Sequence, residues 1–270
     1  MKGAPLLLDS ITDVAPHHAG QIAVSGSHGG LYPAAIASRA GLRAVILNDA
    51  GKGLDGAGIA GIMALDRVGM AAAAADCMSC EIGSARDMME RGRIGTANAT
   101  AMALGVTPGM SVADAAARLA DAVNPAAVLP PVEEAARTET IGPHRHIVRL
   151  LDSASLVGPG DAGGIVVTGS HGGLIGGDPA RALKAQARVA VFNDAGGGRN
   201  GIGFTRLPAL DARGVAAVTV AHDSARIGEA ASALATGRIS ACNRLAAALG
   251  AEVGLPLRDW IAGLPPVATD

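Results

Sequence analysis

The stretch Gln21–Gly30, QIAVSGSHGG, returns as GIVVTGSHGG at Gly164–Gly173. Each copy is an apolar run that ends in Gly-Ser-His-Gly-Gly (Gly26–Gly30 and Gly169–Gly173). A continuous apolar run of this length, bounded by glycine, is the pattern of a strand buried on both faces. A serine–histidine pair set among glycines at the end of such a strand, twice, points to more than chance.

The match extends through the flanks. Asp9-Ser10 falls on Asp152-Ser153, Pro16 on Pro159 and Gly20 on Gly163. The register then shifts by two residues near Gly176–Lys184, after which NDAGKG (Asn48–Gly53) meets NDAGGG (Asn193–Gly198). Ala64-Leu65-Asp66 meets Ala209-Leu210-Asp211, Ser79 meets Ser224, Gly92-Arg93-Ile94 meets Gly237-Arg238-Ile239, and Asn98 meets Asn243. The chain therefore reads as a tandem duplication. Each copy spans roughly 115 residues, too long for a solenoid unit and long enough for a small domain. The expected organisation is a first lobe over 1–120, a linker over 121–146 marked by Pro130-Pro131, and a second lobe over 147–270.

Strand-type runs recur in each half: QIAVSG, RAVILND and MAAAAAD in the first, GIVVTG, RVAVFND and VAAVTVA in the second. Helix-type segments lie between them in the first half (PAAIASRAG, GIAGIMALDRVG, SARDMMERG, ANATAMALG). Alternation of this kind predicts an α/β fold, with two tandemly duplicated Rossmann-like lobes in a pseudo-twofold arrangement. Each lobe would be a small, mostly parallel sheet flanked by helices. PLLLDSI and VRLLDSA are expected to add an edge strand to each lobe.

Composition narrows the function. Apolar residues make up 49% of the chain, enough for a good core. A net charge of −2 gives no electrostatic reason to bind nucleic acid or an anionic membrane. Aromatic residues are 1%, which removes stacking platforms for bases. No signal peptide and no apolar run near about 18 residues stands out, so a cytoplasmic protein is expected. The three cysteines, Cys77, Cys80 and Cys242, are an odd number without framework spacing, which suits a reducing compartment. Cys77 and Cys80 have C-x-x-C spacing but no second pair to complete a four-ligand zinc site, so no metal ligand is assigned. The expected partner is a small anionic molecule, with a homo-oligomer left open.

Three matched motifs would follow three parallel strands, at the carboxyl edge where open α/β sheets bind ligands. In the first motif, glycine allows positive φ and outward N–H groups that suit an anion or an oxyanion. Gly29, Gly30, Gly172 and Gly173 are thus candidate substrate contacts. His28 and His171 are candidate proton carriers, and Ser27 and Ser170 candidate nucleophiles. The blander alternative is a serine cap and a histidine bonded to backbone. Asn48 and Asn193 are read as closing their own loops. Asp49 and Asp194 are candidates to orient a histidine, bind a metal or move a proton.

GKGLDG and GGGRNG both satisfy G-x-G-x-x-G, with Asp76 and Asp223 about 20 residues on, so a nicotinamide or flavin dinucleotide is a second reading. Against it, Asp49 and Asp194 stand two residues before the first glycine, where a carboxylate repels pyrophosphate. The copies also differ: Lys52 faces Gly197, Leu54 faces Arg199, Cys77-Met78 faces His222-Asp223, and Glu81 faces Arg226. Lys52, Ser79, Arg199, His222, Asp223, Ser224 and Arg226 are accordingly candidate substrate contacts, with arginines suited to clamp an anion. Arg93 and Arg238 are read as structural. The leading expectation is a hydrolase- or lyase-type enzyme for a small, anionic, non-aromatic metabolite, working by amide or ester hydrolysis or a related proton transfer. Its cleft would be built from both sets of loops, its cofactor is unassigned, and the third reading is a non-catalytic binder of a small anion.

Overall fold

The computed structural model describes residues 4–266. They divide into two compact units. The first holds the chain up to Glu133 together with Ile175–Gly177 and Ala195–Ile202; the second holds Glu134–Leu174, Asp178–Asp194 and the chain from Gly203 onward.

The first unit is built on β1 (Leu6–Leu8), β2 (Ile22–His28), β3 (Ala44–Asn48), β4 (Ala71–Ala75) and β5 (Ile94–Ala97), lying side by side in chain order. β1 to β4 run parallel, and β5 closes the sheet antiparallel to β4. Successive side chains on a strand point to opposite faces. Ala23, Val45, Leu47, Ala72 and Ala74 therefore pack on one side, with residues of α1 (Leu31–Arg39) and α2 (Ala60–Asp66). Ile22, Val24, Ala44, Ile46, Ala71, Ala73 and Ala75 pack on the other. There they meet α3 (Ala85–Arg91), α4 (Ala99–Ala103) and α5 (Val112–Leu119). Double burial explains why these strands read as unbroken apolar runs. The five alanines of β4 have weak strand propensity, yet they form a strand because both faces are covered, and tertiary burial overrides propensity.

The second unit is built on β6 (Ala136–Ile141), β7 (His146–Leu151), β8 (Ile165–His171), β9 (Val189–Asn193), β10 (Ala216–Val220) and β11 (Ile239–Cys242), again in chain order. β7 to β10 are parallel, and β6 and β11 are antiparallel to their neighbours. Its helices are α6 (Arg206–Ala212), α7 (Ala230–Thr236), α8 (Arg244–Ala248) and α9 (Leu257–Gly263). VRLLDSA was expected to supply an edge strand; instead β7 is internal. Residues 136–141, within the stretch read as linker, form β6 and pair along its whole length.

Where the first half of the sequence places α1, the second half has no counterpart helix. Gly176 and Gly177 take positive φ, and Pro179 follows, leaving only short turns at Ile175–Gly177 and Pro179–Arg181. A run without helical bonds leaves carbonyls to satisfy. Buried Arg206, stacked 4.9 Å over Phe192, donates to the carbonyls of Gly173 and Ala182, and Arg213 donates to Leu183 at 2.8 Å.

The paired asparagines act as clamps. Asn98 Oδ1 accepts from Ala101 N–H at the start of α4 and from Ala72 N–H on β4, while Nδ2 donates to the carbonyls of Met70 and Ile62. Asn243 repeats this with Ala246, Ala217, Val215 and Leu207. Each amide serves four backbone groups in a buried place. Asn98→Ala strands several of them and removes a helix cap, so it should lower stability by about 3 kcal/mol or more in urea unfolding. A loss below about 1 kcal/mol would show the clamp to be dispensable.

Candidate functional site

Strand register brings the matched motifs to one edge within each sheet. His28 pairs with Asn48, and Asn48 with Ala75, so His28, Asp49 and Asp76-Cys77 stand at three adjacent strand ends. In the second unit His171 pairs with Asn193, and Asn193 with Val220, which aligns His171, Asp194 and the Ala221-His222 end. Adjacent strands are about 4.8 Å apart, so these ends are neighbours.

Much of what the two copies share has a structural task. Ser27 Oγ accepts the backbone N–H of Ile11 at 3.0 Å, and Ser170 Oγ accepts that of Ala154 at 2.9 Å. The glycines of the pentapeptide were expected to use positive φ and to offer their amides; none uses positive φ, and the amides of Gly29, Gly30 and Gly172 are already bonded. None of the six is among the positive-φ glycines. Strand geometry continues to the histidine, and space is what demands glycine: a Cβ on Gly26 would stand 2.7 Å from the carbonyl of Asp9 and from Gly83. The amides of Gly29 and Gly172 donate to the carbonyls of Asn48 (2.7 Å) and Asn193 (2.8 Å), and that of Gly30 to His28 Nδ1 (3.2 Å). Ser79 Oγ donates to the Asp76 carbonyl and accepts from Arg93 N–H; Ser224 does the same with Ala221 and Arg238. Arg93 and Arg238 also donate to the carbonyls of Gly109 and Gly254, in keeping with a structural role.

Positive φ lies instead in the NDAG turns. Ala50, Gly51, Lys52 and Gly53 are all left-handed (φ 50°, 70°, 62° and 66°), as are Ala195 to Gly198 (52°, 80°, 73° and 66°). Asn48 Oδ1 accepts Ala50 N–H and the Asp49 carbonyl accepts Lys52 N–H, so the turn consumes its own donors. This geometry departs from a dinucleotide fingerprint. Gly51 N–H is held by Asp49 Oδ1 and Gly56 N–H by the Gly53 carbonyl, Gly201 N–H goes to the Gly198 carbonyl, and α2 begins only at Ala60. No comparison supplies a family: no family model, curated protein or solved structure matches this chain.

What remains is a carboxylate at the end of each central strand with a different partner in each unit. Asp49 is buried, and its Oδ1 accepts the backbone N–H of Cys77 (2.9 Å) and of Gly51 (3.0 Å). Burial raises its pKa, against the pull of those two amides. Burial, with the Asp49 and Asp76 carboxylates beside it, pushes the Cys77 thiol up to about 12. One ligand atom each from Asp49, Asp76 and Cys77 lies within 4.8 Å of the others. Cys80 is also a free thiol, fully buried and pushed up to about 12 by burial, as befits a packing residue. In the second unit Asp194 Oδ1 accepts both the backbone N–H of His222 (2.9 Å) and its ring Nδ1 (3.0 Å). A carboxylate only accepts, so Nδ1 carries the proton and Nε2 is the basic nitrogen. Asp194 is 7% exposed at its side chain and His222 32%, the pattern of a held base that solvent can reach.

The other candidates separate. Asp223 is exposed, and Arg226 pairs with Glu229 at the surface (3.4 Å). Arg199 donates its backbone N–H to the Cys77 carbonyl, within the first unit. Asp76 entered the sequence reading only through fingerprint spacing. Its pairing with Ala221, beside the Cys77–His222 exchange, was the available signal.

His28 has a role other than the expected one. With Nδ1 accepting from Gly30, its proton is on Nε2, and burial lowers its pKa to about 4. A base that weak carries few protons at neutral pH, so His28 acts there as a neutral N–H donor. In the unfolded chain it titrates near 6.5, so stability is full above that value and falls as pH drops toward about 4. The drop approaches about 3 kcal/mol at most, since part of the ring still touches solvent. His28→Asn should flatten this limb in unfolding measured between those pH values; an unchanged limb would contradict a buried neutral ring. Lys52, exposed and left-handed where its counterpart is Gly197, predicts the opposite sign: Lys52→Gly should raise stability by about 1 kcal/mol. Destabilisation of that variant would mean that the lysine stem packs.

Proposed function

We propose that the protein is an enzyme for a small, anionic, non-aromatic metabolite, and that the Asp194–His222 pair is its acid–base group. One observation carries the reading: a buried carboxylate holds Nδ1 of a half-exposed imidazole at the carboxyl ends of parallel strands. The arrangement suits hydrolysis of an amide or ester, or proton transfer at carbon. His222 Nε2 takes a proton from water or from the substrate, and Asp194 stabilises the imidazolium that results. The proton then returns from Nε2 to the leaving group or to carbon, which restores the neutral ring.

The low aromatic content favours a polar or charged ligand over a base or a flavin. The left-handed turns support a functional edge in both halves, because strained backbone persists where structure over-determines it and gathers at functional places. We read the matched halves as products of duplication whose chemistry has diverged, with the Cys77–His222 exchange as its trace. Free cysteines favour a reducing, cytoplasmic setting.

A panel of small carboxylates and phosphate esters, screened by thermal shift and then for turnover, tests the proposal. His222→Asn keeps a donor for Asp194 but cannot carry a proton. It should fold and lose about 10²–10⁴-fold in kcat with a smaller change in KM. Asp194→Asn should also lose turnover. A ligand that stabilises the protein without ever being converted would favour a binding protein, and full turnover in His222→Asn would end the catalytic assignment of this pair.

A further inference from the structure

We propose that β1 is the seam of a homodimer, its free edge pairing antiparallel with the same edge of a second copy around Leu7. β1 ends its sheet, and its three residues are all leucine, with Leu7 45% exposed. Free edges are normally blunted by charged side chains, and the other open edge, β6, carries Arg137 and Glu139. β1 carries no charge at all.

The second half of the sequence shows what covers such an edge. β1 lies on β2 in the register of β7 on β8: Leu7 stands opposite Val24 as Leu150 stands opposite Val167. On β7 the cover is β6, an antiparallel strand. There Asp152 donates its N–H to the Ala135 carbonyl (3.0 Å), and Ala135 returns its own N–H to Asp152 Oδ2 (2.8 Å). Along an extended chain, alternate residues turn their backbone groups to the same neighbour. Asp152, Leu150 and Val148 therefore face β6, and the matching positions on β1 are Asp9, Leu7 and Pro5. Among the described residues nothing accepts the Asp9 N–H, and no strand lies on that side of β1.

Self-complementarity selects a second copy as the occupant. With the edges antiparallel and Leu7 opposite Leu7 on a twofold axis, each Leu7 donates to and accepts from the other. Asp9 then stands opposite the partner's Pro5, and its N–H donates to that carbonyl. Proline suits the place because it has no N–H, and Asp9 has no acceptor to spare for one. The Asp9 carbonyl turns toward Gly26, where a Cβ would stand 2.7 Å away, and Oδ2 lies against Gly176, where a Cβ would stand 2.9 Å away. Oδ1 already accepts from Ala85. A proline on an edge strand discourages most partners, but in this register it leaves no group unpaired. Leu6 meets the partner's Leu8, so the side-chain pairs around the axis are all leucine. The contact is isologous, so it closes with two copies and joins their sheets edge to edge.

Sedimentation velocity on the full chain, from micromolar to submillimolar concentration, tests the seam. We expect a concentration-dependent species of twice the 26.5 kDa chain. Leu7→Lys places like charges face to face on the axis and should raise the dimer Kd at least about tenfold. Leu7→Pro removes only an outward N–H and should do the same. Circular dichroism checks that both variants keep the fold. Leu7→Cys should form a disulfide-linked dimer under mild oxidation where the parent chain does not, since Cα atoms of such a pair stand about 5.5 Å apart, within disulfide reach. A monomer at every concentration would overturn the seam. So would a dimer that both Leu7→Lys and Leu7→Pro leave intact, or one in which Leu7→Cys never links. An open-ended series of larger species would also overturn it, as the mark of β1 seated on the β6 edge of the next copy.

Discussion

The carboxylate after each third parallel strand holds the edge of its sheet together. Asp49 follows β3, yet its Oδ1 reaches across to the N–H of Cys77 beyond β4 and back to Gly51 in its own turn. Asp194 makes the same reach to His222. Hydrogen bonds to a charged acceptor are stronger than those between neutral groups. One side chain thus fixes the next strand's exit, and with it the side chain that the exit presents. The left-handed turn lies directly after the aspartate: Ala50 to Gly53 all take positive φ, with glycine at two of the four positions, where that conformation costs least.

Much of the architecture was legible because the strands are doubly buried. RAVILND and MAAAAAD read as strands although alanine is a weak strand former, since an unbroken apolar run between turn residues has few other uses. What escaped were elements without such a signature. β5 is four residues long and includes Gly95 and Thr96, and β6 lies in a polar stretch, exposed apart from half-buried Glu139 and buried Ile141. Both are antiparallel additions at sheet edges, where one face and one edge can meet water, so their sequences need not be apolar. α5 has a clear apolar stripe (Val112, Ala115, Ala116, Leu119), but alanine mutes its contrast. The missing helix after β8 was foreshadowed by Gly176-Gly177-Asp178-Pro179, a run of breakers where the first half has Leu31–Arg39.

The candidate site was legible in place more than in role. The carboxyl edge of the strands, Asp49, Asp194 and His222 were all reachable from motif spacing. Ser27, Ser170 and the pentapeptide glycines were given chemistry that the geometry spends on backbone bonds and close approach. The reason is physical. A hydroxyl that accepts an amide and a glycine that admits a carbonyl leave no mark in sequence to distinguish them from a nucleophile and an anion nest, because the same residue types serve both.

Comparison between the halves therefore has to be read in a particular way. Identity at a position shows that something is required there, and packing and backbone bonds are the commonest requirements. Asp9 and Asp152 illustrate this: the residue is identical, and each accepts the first N–H of a helix, that of Ala85 and of Ala230, Asp152 taking the Ala135 N–H as well. Chemistry is better sought where the residue changes but the change stays among groups that carry protons or bind metals. Position 77 and its counterpart 222 meet that description, cysteine against histidine, each anchored through its backbone by an identical aspartate. The shared carboxylate anchors the backbone at this position, and the two halves have filled it with different side chains.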